Sequence, residues 1–227
     1  MTKQIYKILL LTIFTAPLLF TGCNHLFYYP DSNVRVTPDK LDLKYDEISI
    51  ATEDNEKLNG WYIHSKYRSP YATILHFHGN AENITTHFLY LSWLANYGYD
   101  IIVFDYRGYG NSTGTPSRDG LFSDSKAILK WIKNNLKTQD MFIVAQSLGG
   151  AVVIPAFVEN PLPEVQAIIL DSTFASYRKI TRQKLSSIWL TWPLQWPLSF
   201  LISDNLSPVD YIKKIKSPIL FIHSLND

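Results

Sequence analysis

The chain has 227 residues, 46% of them hydrophobic, enough to bury one sizeable core in what reads as a single domain. Its formal net charge is +1 and no basic stripe stands out, which argues against a nucleic-acid partner. A single cysteine excludes an intramolecular disulfide, and the six histidines show no metal-ligand spacing.

Lys3 and Lys7 precede an apolar run from Ile8 to Phe20, broken only by Thr12, Thr15 and Pro17. The run is short for a bilayer span, which needs about 20 apolar residues. A charged start, a short apolar stretch and small residues before a cut are the anatomy of a secretory signal. Cys23 follows Leu19-Phe20-Thr21-Gly22 directly, and this stretch resembles a bacterial lipoprotein signal. The resemblance implies cleavage after residue 22, a lipidated Cys23 and a place in the bacterial cell envelope. Asn24, where an aspartate would favour the inner membrane, points to the outer one. Removing residues 1–22 leaves 19 basic against 20 acidic residues, so the charge argument is unchanged. Residues 23–45 are expected to form a tether.

The domain then runs from residue 46. Glu47–Ala51 and Leu58–His64 read as strands around the turn residues Glu53-Asp54-Asn55-Glu56. Ala72–His78 is a continuous apolar strand ending in His78-Gly79-Asn80-Ala81-Glu82-Asn83, and Thr85–Tyr97 is expected to be a helix. Ile101–Phe104 is another buried strand, ending in the glycine-punctuated loop Asp105-Tyr106-Arg107-Gly108-Tyr109-Gly110-Asn111-Ser112. Ser117 or Asp119 can cap the next helix, which runs to about Leu136 with Ile128, Leu129, Trp131 and Ile132 on its buried side.

Asp140–Gln146 then feeds a strand into Ser147-Leu148-Gly149-Gly150 and an apolar segment of helical length. Strand, tight turn and helix around one serine form the context of a nucleophile elbow. The residues two positions either side are Ala145 and Gly149, and alanine costs little there if its φ is negative. Val165–Leu170 is a further strand, ending at Asp171. From about residue 175 to 206 the pattern changes to a tryptophan- and proline-rich insertion, expected to be a cap that shapes an apolar substrate pocket; the rival readings are a membrane-facing patch and plain packing. Pro218–His223 is a last buried strand leading to Asp227.

Alternating buried strands and helices predict an α/β fold, a mostly parallel sheet with helices on both faces. In such a sheet function collects at the carboxyl ends of the strands, where His78, Asp105, Ser147 and Asp171 all fall.

The His78–Asn83 and Asp105–Ser112 signatures, the elbow at Ser147 and the stretch from Ser217-Pro218 to Asp227 together resemble the α/β-hydrolase superfamily. The likeness is to its membrane-anchored, ABHD-type serine hydrolases with a serine-aminopeptidase-like label, and it covers the chain from about Glu47 onward. It implies acyl transfer on a small ester- or thioester-type substrate, with no cofactor and no metal. Ser147 would be the nucleophile, and backbone amides of Leu148 and Asn80 would form the oxyanion hole. Ala81 is the weaker candidate donor. Asp227 matches the acid, with Asp171 as the alternative. His78, Asp105 and Arg107 are expected as loop scaffolding. The family's chain order is serine, acid, histidine, and all six histidines precede Asp227. The expectation is therefore a fold lacking its last helix, strand and helix, with a serine that cannot be fully activated. The rival expectation is a non-catalytic, lipid-anchored envelope protein that binds an apolar ligand or partner.

Overall fold

A computed structural model of the chain describes residues 27–136 and 140–224, so Cys23 and Asp227 lie outside the described residues. Its centre is a seven-stranded sheet. In chain order, β1 (Tyr29–Pro30) belongs to a small separate ladder, and β2 (Tyr45–Ala51) and β3 (Lys57–Ile63) open the main sheet. They are followed by β4 (Ala72–Phe77), β5 (Ala81–Glu82), helix α1 (Ile84–His87), β6 (Tyr99–Phe104) and helix α2 (Arg118–Asn135). Then come β7 (Met141–Gln146), α3 (Leu148–Glu159), β8 (Val165–Asp171), α4 (Tyr177–Ser186), α5 (Gln195–Phe200), α6 (Pro208–Tyr211) and β9 (Ile219–Ile222).

The strand order is β2-β3-β6-β4-β7-β8-β9. β2 pairs antiparallel with β3 and β3 with β6, while every pair from β6 to β9 is parallel. All six residues of β4 are buried, as a strand covered on both faces requires. One face is covered by α2 and α3, through Leu121, Ile128, Ile132, Val152 and Phe157. Ile84, Phe88, Leu91 and Ala95 cover the other, against Ile74, Ile101 and Val103. β9 is the last strand in the sheet order, and Leu220, Phe221 and Ile222 on it are exposed.

Three stretches differ from expectation. The last strand, expected to be buried, is exposed at Leu220, Phe221 and Ile222, because no described strand pairs with its outer edge. Residues 85–97 are not one helix. After α1 come two 3-10 turns, Phe88–Tyr90 and Ser92–Tyr97, separated at Leu91. Side chains and a neighbouring strand end take the carbonyls a continuous helix would use. Ser92 Oγ donates to Leu89 O and Trp93 Nε1 to Tyr90 O, while Lys66 N donates to Ala95 O. The buried residues still fall at helical spacing, so the apolar pattern is obeyed while the hydrogen bonding is not.

The described part of the expected tether, residues 27–45, lies against the domain. Tyr28 and Leu43 are buried, and β1 pairs in parallel with β5, Tyr29 opposite Ala81 and Pro30 opposite Glu82. Three further bonds tie this strap down. Asn83 Nδ2 donates to the carbonyls of Asp31 and Asn33, and Gly110 N donates to Asp31 O.

Candidate active site

The turn between β7 and α3 is built as an elbow. Ser147 has φ 47° and ψ −108°, a conformation that L-residues rarely adopt, and its amide donates to Asp171 O at 2.8 Å. The small residues around it are set by close approach. A Cβ on Gly149 would come within 2.2 Å of Phe77 O, and one on Gly150 within 2.1 Å of Thr173 Oγ1. Ala145 is different. It sits inside β7 opposite Phe77 without a positive φ, so a methyl group fits there. Leu148 begins α3, so its amide has no acceptor within the helix and lies beside the serine.

Facing the elbow is the loop that follows β4. His78 Nδ1 donates to Gly79 O at 2.8 Å, so its Nε2 carries the lone pair. That nitrogen is buried without a hydrogen-bond partner, 3.7 Å from Asp105 Oδ1. Burial holds the His78 imidazole well below its ordinary pKa, the neighbouring His87 adding to the effect, so it is neutral. Burial also pushes Asp105 up to about 7, against the opposing hydrogen bond from Ile84 N. A protonated carboxyl beside a ring lone pair avoids the repulsion that a carboxylate would suffer. His76 is likewise buried and lowered to about 4, with Nε2 on Gln146 Oε1 at 3.1 Å.

Two tyrosines and the strap hold the rest of the loop. Tyr106 Oη donates to His78 O at 2.9 Å, and Tyr109 Oη to Asn80 Oδ1 at 2.8 Å. Asn80 Nδ2 donates to Phe27 O at 2.6 Å. Between the two tyrosines in sequence, Arg107 is clamped between Asp54 and the buried Asp124. His78, Asp105 and Arg107, expected as loop scaffolding, are all buried.

Elbow and loop enclose an open cleft of about 370 Å³, within the range of small-molecule sites. Ser147 and Asp171 both line it. Asp171 accepts from Tyr90 Oη at 3.1 Å and from Ser172 Oγ at 3.1 Å. Asn80 and Leu148 flank the cleft from the two sides without lining it, and Asp227 lies outside the described residues. Gln146, Glu82, His87 and Tyr90 also line the cleft and were not singled out from the sequence. Gln146 could have been found from its place inside the elbow motif. Tyr90 could not, because it enters from a 3-10 turn. His87 stacks on His78, with ring centroids 4.8 Å apart, and its Nε2 bonds Ala81 O at 2.7 Å. His223 follows β9 at an exposed position and does not line the cleft.

Residues 68–208 match the family model described as serine aminopeptidase, S33. The chain is 31% identical over 230 residues to the protein YfhR of Escherichia coli K12, a match covering 99% of this chain and 76% of YfhR. It is also 31% identical over 204 residues to the protein bem46 of Schizosaccharomyces pombe, covering 84% of this chain and 63% of bem46. Among solved structures, the esterase Pf2001 of Pyrococcus furiosus superposes with a TM-score of 0.66 at 25% identity, over 86% of this chain and 75% of that one. The matched family, the strained serine elbow and the mostly parallel sheet agree: the chain belongs to the S33 serine aminopeptidase family of α/β-hydrolases.

Proposed function

We propose that the chain is the scaffold of a serine hydrolase for ester- or thioester-type acyl substrates, with Ser147 as nucleophile. The observation that carries this reading is the backbone of Ser147 itself. A non-glycine residue at φ 47°, held between a β-strand and a helix and lining a cleft, stores strain that ordinary packing does not require. Ser147 Oγ would attack the acyl carbonyl carbon, its proton passing to a base. The developing oxyanion would be met by the amides of Leu148 and Asn80. Asp171 is the acid within reach of the cleft. That a structural neighbour is an esterase supports the acyl class, and says nothing of the acyl group.

The base sets the expected rate. Among the described residues, His76 and His78 are buried and neutral, and the Nε2 of His87 is committed to Ala81 O. These 227 residues are therefore expected to hydrolyse p-nitrophenyl butyrate slowly and to label slowly with a fluorophosphonate probe. Both signals should vanish in Ser147→Ala. Labelling that survives that substitution sinks the assignment. A second reading is an envelope protein that binds an apolar ligand without turnover. It is preferred if the wild-type chain gives no label while a fluorescent fatty acid binds.

We further propose that Cys23 is lipidated and holds the protein in a bacterial envelope, with the outer membrane favoured. Incorporation of labelled palmitate that persists in Cys23→Ser would refute this.

A further inference from the structure

The excursion between β8 and α6 has an unusual surface. Ser176 Oγ bonds both carboxylate oxygens of Asp204, at 2.8 and 2.9 Å, and Ser207 Oγ bonds Asp204 Oδ1 at 2.6 Å, closing its neck. Inside, Arg182 lies over the Trp196 ring at 3.7 Å and donates to Ser199 Oγ, tying α4 to α5. The excursion is thus an ordered unit. Its outer surface is apolar: Trp189 is 84% exposed and Trp192 59%, with Ile188, Leu190, Leu194 and Leu201 exposed beside them. So many exposed large apolar side chains within one short stretch mark a contact surface. From Ser172 to Ser203 there is no aspartate or glutamate, while Arg178, Lys179, Arg182 and Lys184 all lie on α4. Lys179 and Lys184 are exposed.

We propose that this face docks on an anionic phospholipid bilayer, with Trp189 and Trp192 in the headgroup region and Lys179 and Lys184 on the lipid phosphates. Charge complementarity selects the occupant. Exposed tryptophan and leucine beside an all-cationic helix suit an interface that is apolar below and negative above. A protein groove would have to supply acidic groups around an apolar floor, whereas an anionic bilayer supplies both everywhere. The contact is separate from any lipid on Cys23 and does not depend on Ser147 being catalytic.

The test uses the full chain with Cys23→Ser throughout, so that every variant has the same N-terminus. Partition is measured by co-sedimentation with phosphatidylcholine vesicles, with and without 30% phosphatidylglycerol. Binding should need phosphatidylglycerol and weaken in 0.5 M salt. Lys179→Gln with Lys184→Gln should lower it on the order of 20-fold, at about fivefold per charge. Trp189→Ser with Trp192→Ser should lower it about tenfold or more. Unchanged partition in both pairs, or equal binding to the two vesicle types, overturns the proposal. So does lipid-independent self-association that the same substitutions abolish, which would assign the face to a second copy. A measurement without substitutions in this face guards against misfolding. Acyl-brominated phosphatidylglycerol should quench the tryptophan fluorescence of the chain, and absence of quenching refutes docking.

Discussion

Replacing Arg107 with methionine tests how the loop beneath the cleft is held. The guanidinium forms a bidentate contact with Asp54, at 2.6 and 3.0 Å, and lies 2.8 Å from Asp124 Oδ1, which also accepts from Nε at 2.9 Å. The two partners differ in burial: the Asp54 side chain is 51% exposed and that of Asp124 0%. Losing the exposed contact costs little. The energy lies with Asp124, which would keep only the Arg107 backbone amide as a donor to Oδ2.

Burial already pushes Asp124 up to about 6, with Arg107 pulling the other way. Without the guanidinium its folded pKa rises further. A carboxyl whose folded pKa lies above its unfolded value favours the fold below the unfolded pKa. That advantage is lost as pH rises through the folded one. Between about pH 4 and 6 wild type and variant lose it in parallel; above 6 only the variant continues, at about 1.4 kcal/mol per pH unit. At pH 5 the variant should be weaker by about 1–2 kcal/mol, the value of the lost hydrogen bonds. At pH 8 the gap should reach roughly 3–5 kcal/mol, the usual cost of stranding a buried charge. Guanidinium chloride unfolding at the two pH values, followed by tryptophan fluorescence, measures this. Adding Asp124→Asn should recover most of the loss at pH 8. An equal loss at both pH values, or less than about 1 kcal/mol at pH 8, would refute the argument.

Asp105→Asn should flatten the pH dependence of stability. Wild type, with Asp105 raised to about 7, loses stability from about pH 4 to 7, whereas the amide still accepts from Ile84 N and carries no charge. Thermal midpoints across that range should diverge in favour of the variant, and parallel curves would contradict the assignment. Gly149→Ala places a methyl 2.2 Å from Phe77 O, so a loss on the order of 2–4 kcal/mol is expected in thermal unfolding. Tyr109→Phe removes the donor to Asn80 Oδ1. It should cost about 1 kcal/mol of stability and lower kcat on p-nitrophenyl butyrate with KM nearly constant. A change in KM alone would separate Asn80 from the oxyanion.

The sheet was legible because its strands are strand-length apolar runs ending in glycine-rich loops. Ala72–Phe77 and Met141–Gln146 follow that pattern, and the structure pairs them in parallel as neighbours. The elbow was legible for the same local reason, with Gly149 marking the close approach to β4. What stayed hidden depends on long-range partners. Nothing local in Ser92 or Trp93 announces that their side chains will take carbonyls and break a helix. Nothing in Phe27 or Asp31 announces that their carbonyls will meet Asn80 and Asn83, more than fifty residues away in sequence. Tyr90 reaches Asp171 only because a 3-10 turn swings it over the strand ends.

The strap also limits geometry. Phe27 O is bonded to Asn80 on the loop facing Ser147, and only four peptide units separate Phe27 from Cys23. Fully extended, that length spans no more than about 14 Å. Were Cys23 lipidated, the rim of the cleft would be leashed within that distance of the bilayer surface, unable to drift into the aqueous space as a domain on a long linker does. Substrates would then be sampled from a thin layer next to the membrane. Lengthening the leash with a glycine-serine insert after His25 would widen that layer without changing any described residue.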